Sequence, residues 1–107
     1  MSTAIYLGII REEKIKYCGA LVDDEDLFDT RTVETKDPKE TYEKVADFYA
    51  ETIRKHGLGE VTIVNGRRID LVSESIHDCE ELPETLLDAF TKKLESLVDQ
   101  PIILEQQ

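Results

Sequence analysis

Arg11, Asn65, Arg67 and Arg68 are the residues whose types and spacing best suit chemistry on a ligand. A guanidinium offers forked donors that match phosphate or carboxylate oxygens, and an asparagine amide brings both a donor and an acceptor. Arg11 follows the first apolar run of the chain, and Arg67 and Arg68 follow Asn65 after the fourth. In an open α/β sheet those two runs would be parallel neighbours, and their carboxyl ends form the common ligand crevice. The set is therefore an expected anion site for a phosphate-bearing small molecule such as a nucleotide. The competing reading makes the arginines solvated turn residues paired with Glu12 or Asp70, because exposed ion pairs are frequent and energetically minor.

Carboxylates form a second pattern. Asp23 to Asp29 and Glu74 to Glu84 hold five acidic residues each and no lysine or arginine. They carry ten negative charges against a net charge of −11, so the rest of the chain is close to neutral. Charge concentrated in this way presents a face to something. Asp23, Asp24, Glu25 and Asp26 are accordingly the expected contact residues for a protein partner. Calcium is a weaker fit, because the alternate spacing and distal glutamate of an EF-hand loop are missing.

Metal and thiol chemistry find less support. His77, Asp78, Cys79, Glu80 and Glu81 are all ligand types, but adjacent residues rarely converge on one ion and no CxxC or HxxxH spacing occurs. No metal and no cofactor are expected. A catalytic cysteine needs an electropositive surround, whereas Cys79 sits among carboxylates and Cys18 lies in an apolar run.

Composition bounds the class of protein. The chain has 107 residues, 40% hydrophobic and 35% charged, which suits one globular domain with one core. No apolar run approaches the ~20 residues needed to cross a bilayer, and the N-terminus has no leader pattern, so a cytoplasmic protein without membrane contact is expected. Two cysteines in that setting read as reduced thiols rather than a disulfide. The negative charge opposes general nucleic-acid binding, which draws its affinity from lysine and arginine.

The elements that must position these residues follow from periodicity. Ala4 to Ile10 reads as a central strand, and a polar turn at Arg11 to Lys14 leads to a second strand, Ile15 to Val22. Leu27 to Thr35 alternates as an edge-like third strand. Asp37-Pro38-Lys39-Glu40 predicts a capped helix start, and the helix ends at His56 before Gly57. Glu60 to Val64 is a fourth strand, a second helix begins at Pro83, and Ile102 to Leu104 is a last short strand. Between Asn65 and Leu82 two readings compete. Asn65-Gly66 as a tight hairpin would make Arg67 to Ser73 an extra strand antiparallel to Glu60–Val64, which is favoured; otherwise the stretch is an irregular loop. The fold class is α/β, a two-layer mixed sheet of five or six strands with two helices in the order β-β-β-α-β-(β)-α-β. Phe48 falls off the apolar stripe of the first helix and is an expected contact for self-association into a homodimer.

Three strands, then helix, strand, helix and strand, resemble the ribonuclease H-like topology shared with the first half of actin-like sugar kinases. The segment YLGIIREEKIKYCGALVDDEDLF is similar to the opening strands of such kinases. The resemblance implies a first-strand aspartate and a fourth-strand acid for a two-metal nuclease, or a glycine-rich phosphate loop for a kinase. This chain has no carboxylate in AIYLGII, has Asn65 in place of the acid, and has Arg11-Glu12-Glu13-Lys14 in place of the loop. The expected function is thus a non-catalytic binding or adaptor domain acting through its acidic loops. Phosphate-ligand binding is the first alternative, and a divergent nuclease or phosphotransferase the second.

Overall fold

The computed structural model describes residues 2–24 and 26–105. The apolar run near the N-terminus forms β1 (Thr3–Arg11), which is paired on both sides. On one side lie β2 (Ile15–Asp23) and then β3 (Asp26–Val33), both antiparallel to their neighbours. On the other lie β4 (Val61–Asn65) and then β7 (Ile102–Glu105), both parallel. The sheet is therefore mixed and five-stranded, with order β3-β2-β1-β4-β7. A register shift between Leu21 and Val22 admits one extra residue on β3, a bulge that leaves Val22 facing Leu27.

Helix α1 (Pro38–His56) begins as its residues dictate. The Asp37 carboxylate accepts the Glu40 N–H at 3.1 Å, proline takes the first turn, and Gly57 adopts φ 62° to close the end. Arg54, Lys55 and His56 sit against the negative end of the helix dipole. Tyr42, Val45, Ala46, Tyr49, Ala50 and Ile53 form its buried stripe. Helix α2 (Glu84–Leu97) packs beside it and contributes Phe90 and Leu94. Both helices cover one face of the sheet, where Ile5, Leu7, Ile9, Leu21, Val61 and Ile63 complete a single core. Among the described residues no helix is long and apolar enough to cross a membrane.

The second sheet face is covered in part by a separate two-stranded ribbon, β5 (Arg67–Ile69) antiparallel to β6 (Ile76–Asp78). Here the structure corrects the expected hairpin. Arg67–Ile69 is a strand, but its partner is β6 rather than β4. A tight turn of the kind expected needs positive φ at both central residues. Gly66 has φ 94°, and Asn65 is not in that region. The chain leaves the sheet plane at Gly66, and β5 then lies over β1 and β2. Phe48 lies off the buried stripe as expected and is 42% exposed, with the Arg31 guanidinium 4.3 Å above its ring in a cation–π contact.

Candidate functional site

At the carboxyl ends of β1 and β4, where an open sheet would leave a crevice, the chain puts its own backbone. β4 stops at Asn65 while β1 continues to Arg11. The vacated edge of β1 is taken by Glu80, which exchanges two main-chain hydrogen bonds with Ile9 at 2.8 and 3.0 Å. Gly66 donates to the Leu7 carbonyl at 2.7 Å, and Cys79 donates to the Gly66 carbonyl at 2.9 Å.

Each proposed anion-binding side chain joins this closure in its own way. Arg11 is held by both Glu80 carboxylate oxygens, at 2.8 and 3.0 Å. The forked contact raises the Arg11 pKa and lowers that of Glu80. Arg67 Nε lies 3.0 Å from Asp78 Oδ1 as an ion pair without in-line hydrogen-bond geometry. Asn65 clamps Leu82 at both main-chain groups: its Nδ2 donates to the Leu82 carbonyl at 3.2 Å, and its Oδ1 accepts the Leu82 N–H at 2.8 Å. Arg68 has no carboxylate within ion-pair distance among the described residues and lines a narrow hollow with Cys18, Thr30 and Thr32. Arg67 lines a different hollow, with Tyr6, Val64, Ile76 and Glu105. Arg67 and Arg68 thus line different hollows, and Arg11 and Arg67 pair with Glu80 and Asp78 rather than with Glu12 or Asp70. Asp70 instead accepts the Val72 and Ser73 N–H groups at its own turn, which lowers its pKa.

The two thiols are free and flank Gly8. Cys79 turns its sulfur over Gly8, into the space where a β-carbon would stand. Burial, and then the neighbouring Cys18, push the Cys79 thiol up to about 11, and burial raises Cys18 as well. Among the described residues no group of three or more histidines, cysteines and carboxylates is arranged to hold a metal ion.

The acidic stretches lie at both ends of the sheet. Asp23 is drawn inward: it is 8% exposed and accepts the buried Thr3 hydroxyl at 2.8 Å. It therefore supports the β1–β2 end and leaves little of its surface to solvent. Asp24 (φ 52°) and Asp26 are exposed at the turn, and Glu25 lies outside the described residues. The β5–β6 ribbon runs back along the second face and carries Glu74 to this same end. Asp24 and Glu74 rim a hollow of about 420 Å³ whose apolar lining is Tyr6, Val22, Leu27, Ile69 and Ile76. Asp78 and Glu80 return to the opposite end and meet the arginines.

The extra strand favoured after Asn65-Gly66 would carry Glu74 to the acidic turn, as the structure does, but sequence reasoning missed Ile69 and Ile76 as neighbours of that turn. The only available signal was the isoleucine pair flanking a polar stretch, and a three-residue exposed strand such as Ile-His-Asp carries almost no periodicity. No protein-family model matches this chain, and no curated protein matches it in sequence.

Proposed function

We propose that this chain is a non-catalytic α/β binding or adaptor domain that engages a protein partner through its acidic end. The observation that carries this reading is the pairing of the Asp78–Leu82 segment with β1, Arg11 and Asn65, which closes the β1 side of the usual ligand crevice with the chain's own main chain; the hollow of about 450 Å³ left beside Asn65 is lined by Glu81, Glu84, Asp88 and Glu105, whose charges repel an anion. Asp24 and Glu74, in contrast, rim a hollow with Val22, Leu27, Ile69 and Ile76 in its lining and no cation there among the described residues. An apolar floor with a charged rim is the make-up of many protein contact surfaces. Asp26 is exposed beside them, opposite Asp23, which serves by holding the turn to Thr3.

The strand order β3-β2-β1-β4-β7, with three antiparallel strands followed by two parallel ones, supports the ribonuclease H-like resemblance. Within that reading Asn65 stands where the nucleases need an acid, and its amide is committed to Leu82. A divergent nuclease or phosphotransferase accordingly ranks last, and assays with magnesium or manganese should show no turnover. Phosphate binding ranks second. Its best remaining cation is Arg68, but that hollow of about 20 Å³ has room for roughly one water. Homodimerisation through Phe48 finds less support than phosphate binding, because Arg31 already stacks on the ring. The free thiols suit a cytoplasmic setting.

A photo-crosslinking amino acid in place of Leu27 tests the main reading in lysate of the source cells. It should trap a discrete protein, and the triple variant D24N/D26N/E74Q should abolish trapping. Equal trapping with and without the three charges would overturn it.

A further inference from the structure

The hollow at Asp24 and Glu74 does not end at Ile76. Tyr6 and Ile76 also line a second hollow of about 270 Å³ that continues over Val64 to Glu105, on the same face of the sheet. This face is only partly covered by the ribbon, and Leu27, Ile76 and Ile103 remain 38%, 47% and 42% exposed. The second hollow includes one cation, Arg67, whose charge is taken up by Asp78 at 3.0 Å. Glu105 is left as the negative group at the far end. Its charge reaches Tyr6: after burial, Glu105 is the main influence raising the Tyr6 phenol, with Arg67 acting the other way.

We infer that the two hollows form one trough, and that it takes an extended segment of a partner protein with apolar side chains on its floor and a basic residue at each end. The inference rests on the reading of the acidic end as the binding surface. The charges at its ends fix the length of the segment. From β2, which leads into Asp24, to β7, which holds Glu105, are three strand steps. Asp24 donates to the Ser2 carbonyl, whereas Glu105 is level with Val64 and so with Tyr6, four residues further along β1. With ~4.8 Å per strand step and ~3.3 Å per residue, the diagonal is about 20 Å, or roughly six extended residues. Six is an even number, so both basic side chains and the apolar ones at alternate positions between them point to the same side of an extended chain. A second copy of this chain is a poorer occupant, because at a net charge of −11 each copy repels another.

Two fluorescein-labelled peptides of equal composition test this. Lys-Thr-Val-Thr-Val-Thr-Lys has its lysines six apart, and Lys-Thr-Lys-Thr-Val-Thr-Val has them two apart. By anisotropy the first should bind at least fivefold tighter, and Glu105→Gln, an exposed substitution, should remove the difference. D24N/D26N/E74Q should weaken both peptides. If the peptides bind equally and D24N/D26N/E74Q still weakens them, the acidic-end reading stands and the trough is overturned. Binding by neither at 1 mM, or a dimer in sedimentation that the first peptide leaves intact, would also overturn it.

Discussion

Cys79 places its sulfur where a β-carbon on Gly8 would have to be. That relationship ties the middle of β1 to the segment that closes the end of the sheet, because Cys79 also donates its N–H to Gly66, and Glu80 beside it pairs with Ile9. The glycine is required by packing rather than by backbone conformation. Gly8→Ala should therefore lower stability by about 2 kcal/mol, in the range of over-packed interiors. Adding Cys79→Ala should recover part of that loss, and urea unfolding of the two single variants and the double variant measures the coupling. Strict additivity would show that the sulfur does not occupy the site.

Asn65 both donates to and accepts from the main chain of Leu82, and an aspartate could only accept. Asn65→Asp would face a carboxylate to the Leu82 carbonyl, and a loss of about 1–3 kcal/mol is expected. Thermal unfolding near pH 7 measures it. An unchanged midpoint would mean that the clamp contributes nothing to closure.

Glu80 has its pKa lowered chiefly by the hydrogen bond from Arg11; burial acts the other way, and the Arg11 charge adds a lesser lowering. A carboxylate depressed in the folded state contributes stability that is present above its unfolded pKa and is lost as pH falls through the lower folded one. An NMR titration should find Glu80 below the ordinary glutamate midpoint, and Arg11→Met should bring it back up. An unmoved midpoint in the variant would show that the pair does not form in solution.

The Cys79 thiol at about 11 is almost wholly neutral near pH 7. Iodoacetamide labelling of the folded protein should be slow there and rise about tenfold per pH unit between pH 7.5 and 9.5. Mass spectrometry locates the label. A plateau below pH 9 would indicate an activated thiol and reopen thiol catalysis.

The parts of the fold that sequence reveals are those where local chemistry and tertiary packing agree. Asp37, Pro38 and Gly57 mark the ends of α1, and the apolar run through Ile5, Leu7 and Ile9 marks the central strand. The three N-terminal strands, both helices and β7 lie within two residues of where periodicity puts them. Sequence was ambiguous where a local signal met a long-range partner. Asn65-Gly66 is a turn signal, but the Asn65 amide finds Leu82 seventeen positions away, and that contact redirects the ribbon onto the sheet face. For the same reason the second acidic stretch is not one surface. Glu74 goes to the Asp24 end, while Asp78 and Glu80 neutralise Arg67 and Arg11. Charge counting along the chain finds the carboxylates but not their partners, because ion pairs such as Arg11–Glu80 span 69 positions.

On the proposed reading, binding belongs to the acidic end, and Arg11, Asn65 and Glu80 at the other end serve to hold the Asp78–Leu82 segment against the sheet. Backbone amide shift mapping of the ¹⁵N-labelled protein, titrated with Lys-Thr-Val-Thr-Val-Thr-Lys, tests it most directly. Saturable shifts are predicted at Asp24, Leu27, Glu74 and Ile76, with Arg11, Asn65 and Glu80 unmoved. Shifts confined to Arg11, Asn65 and Glu80, with the acidic end silent, would contradict it.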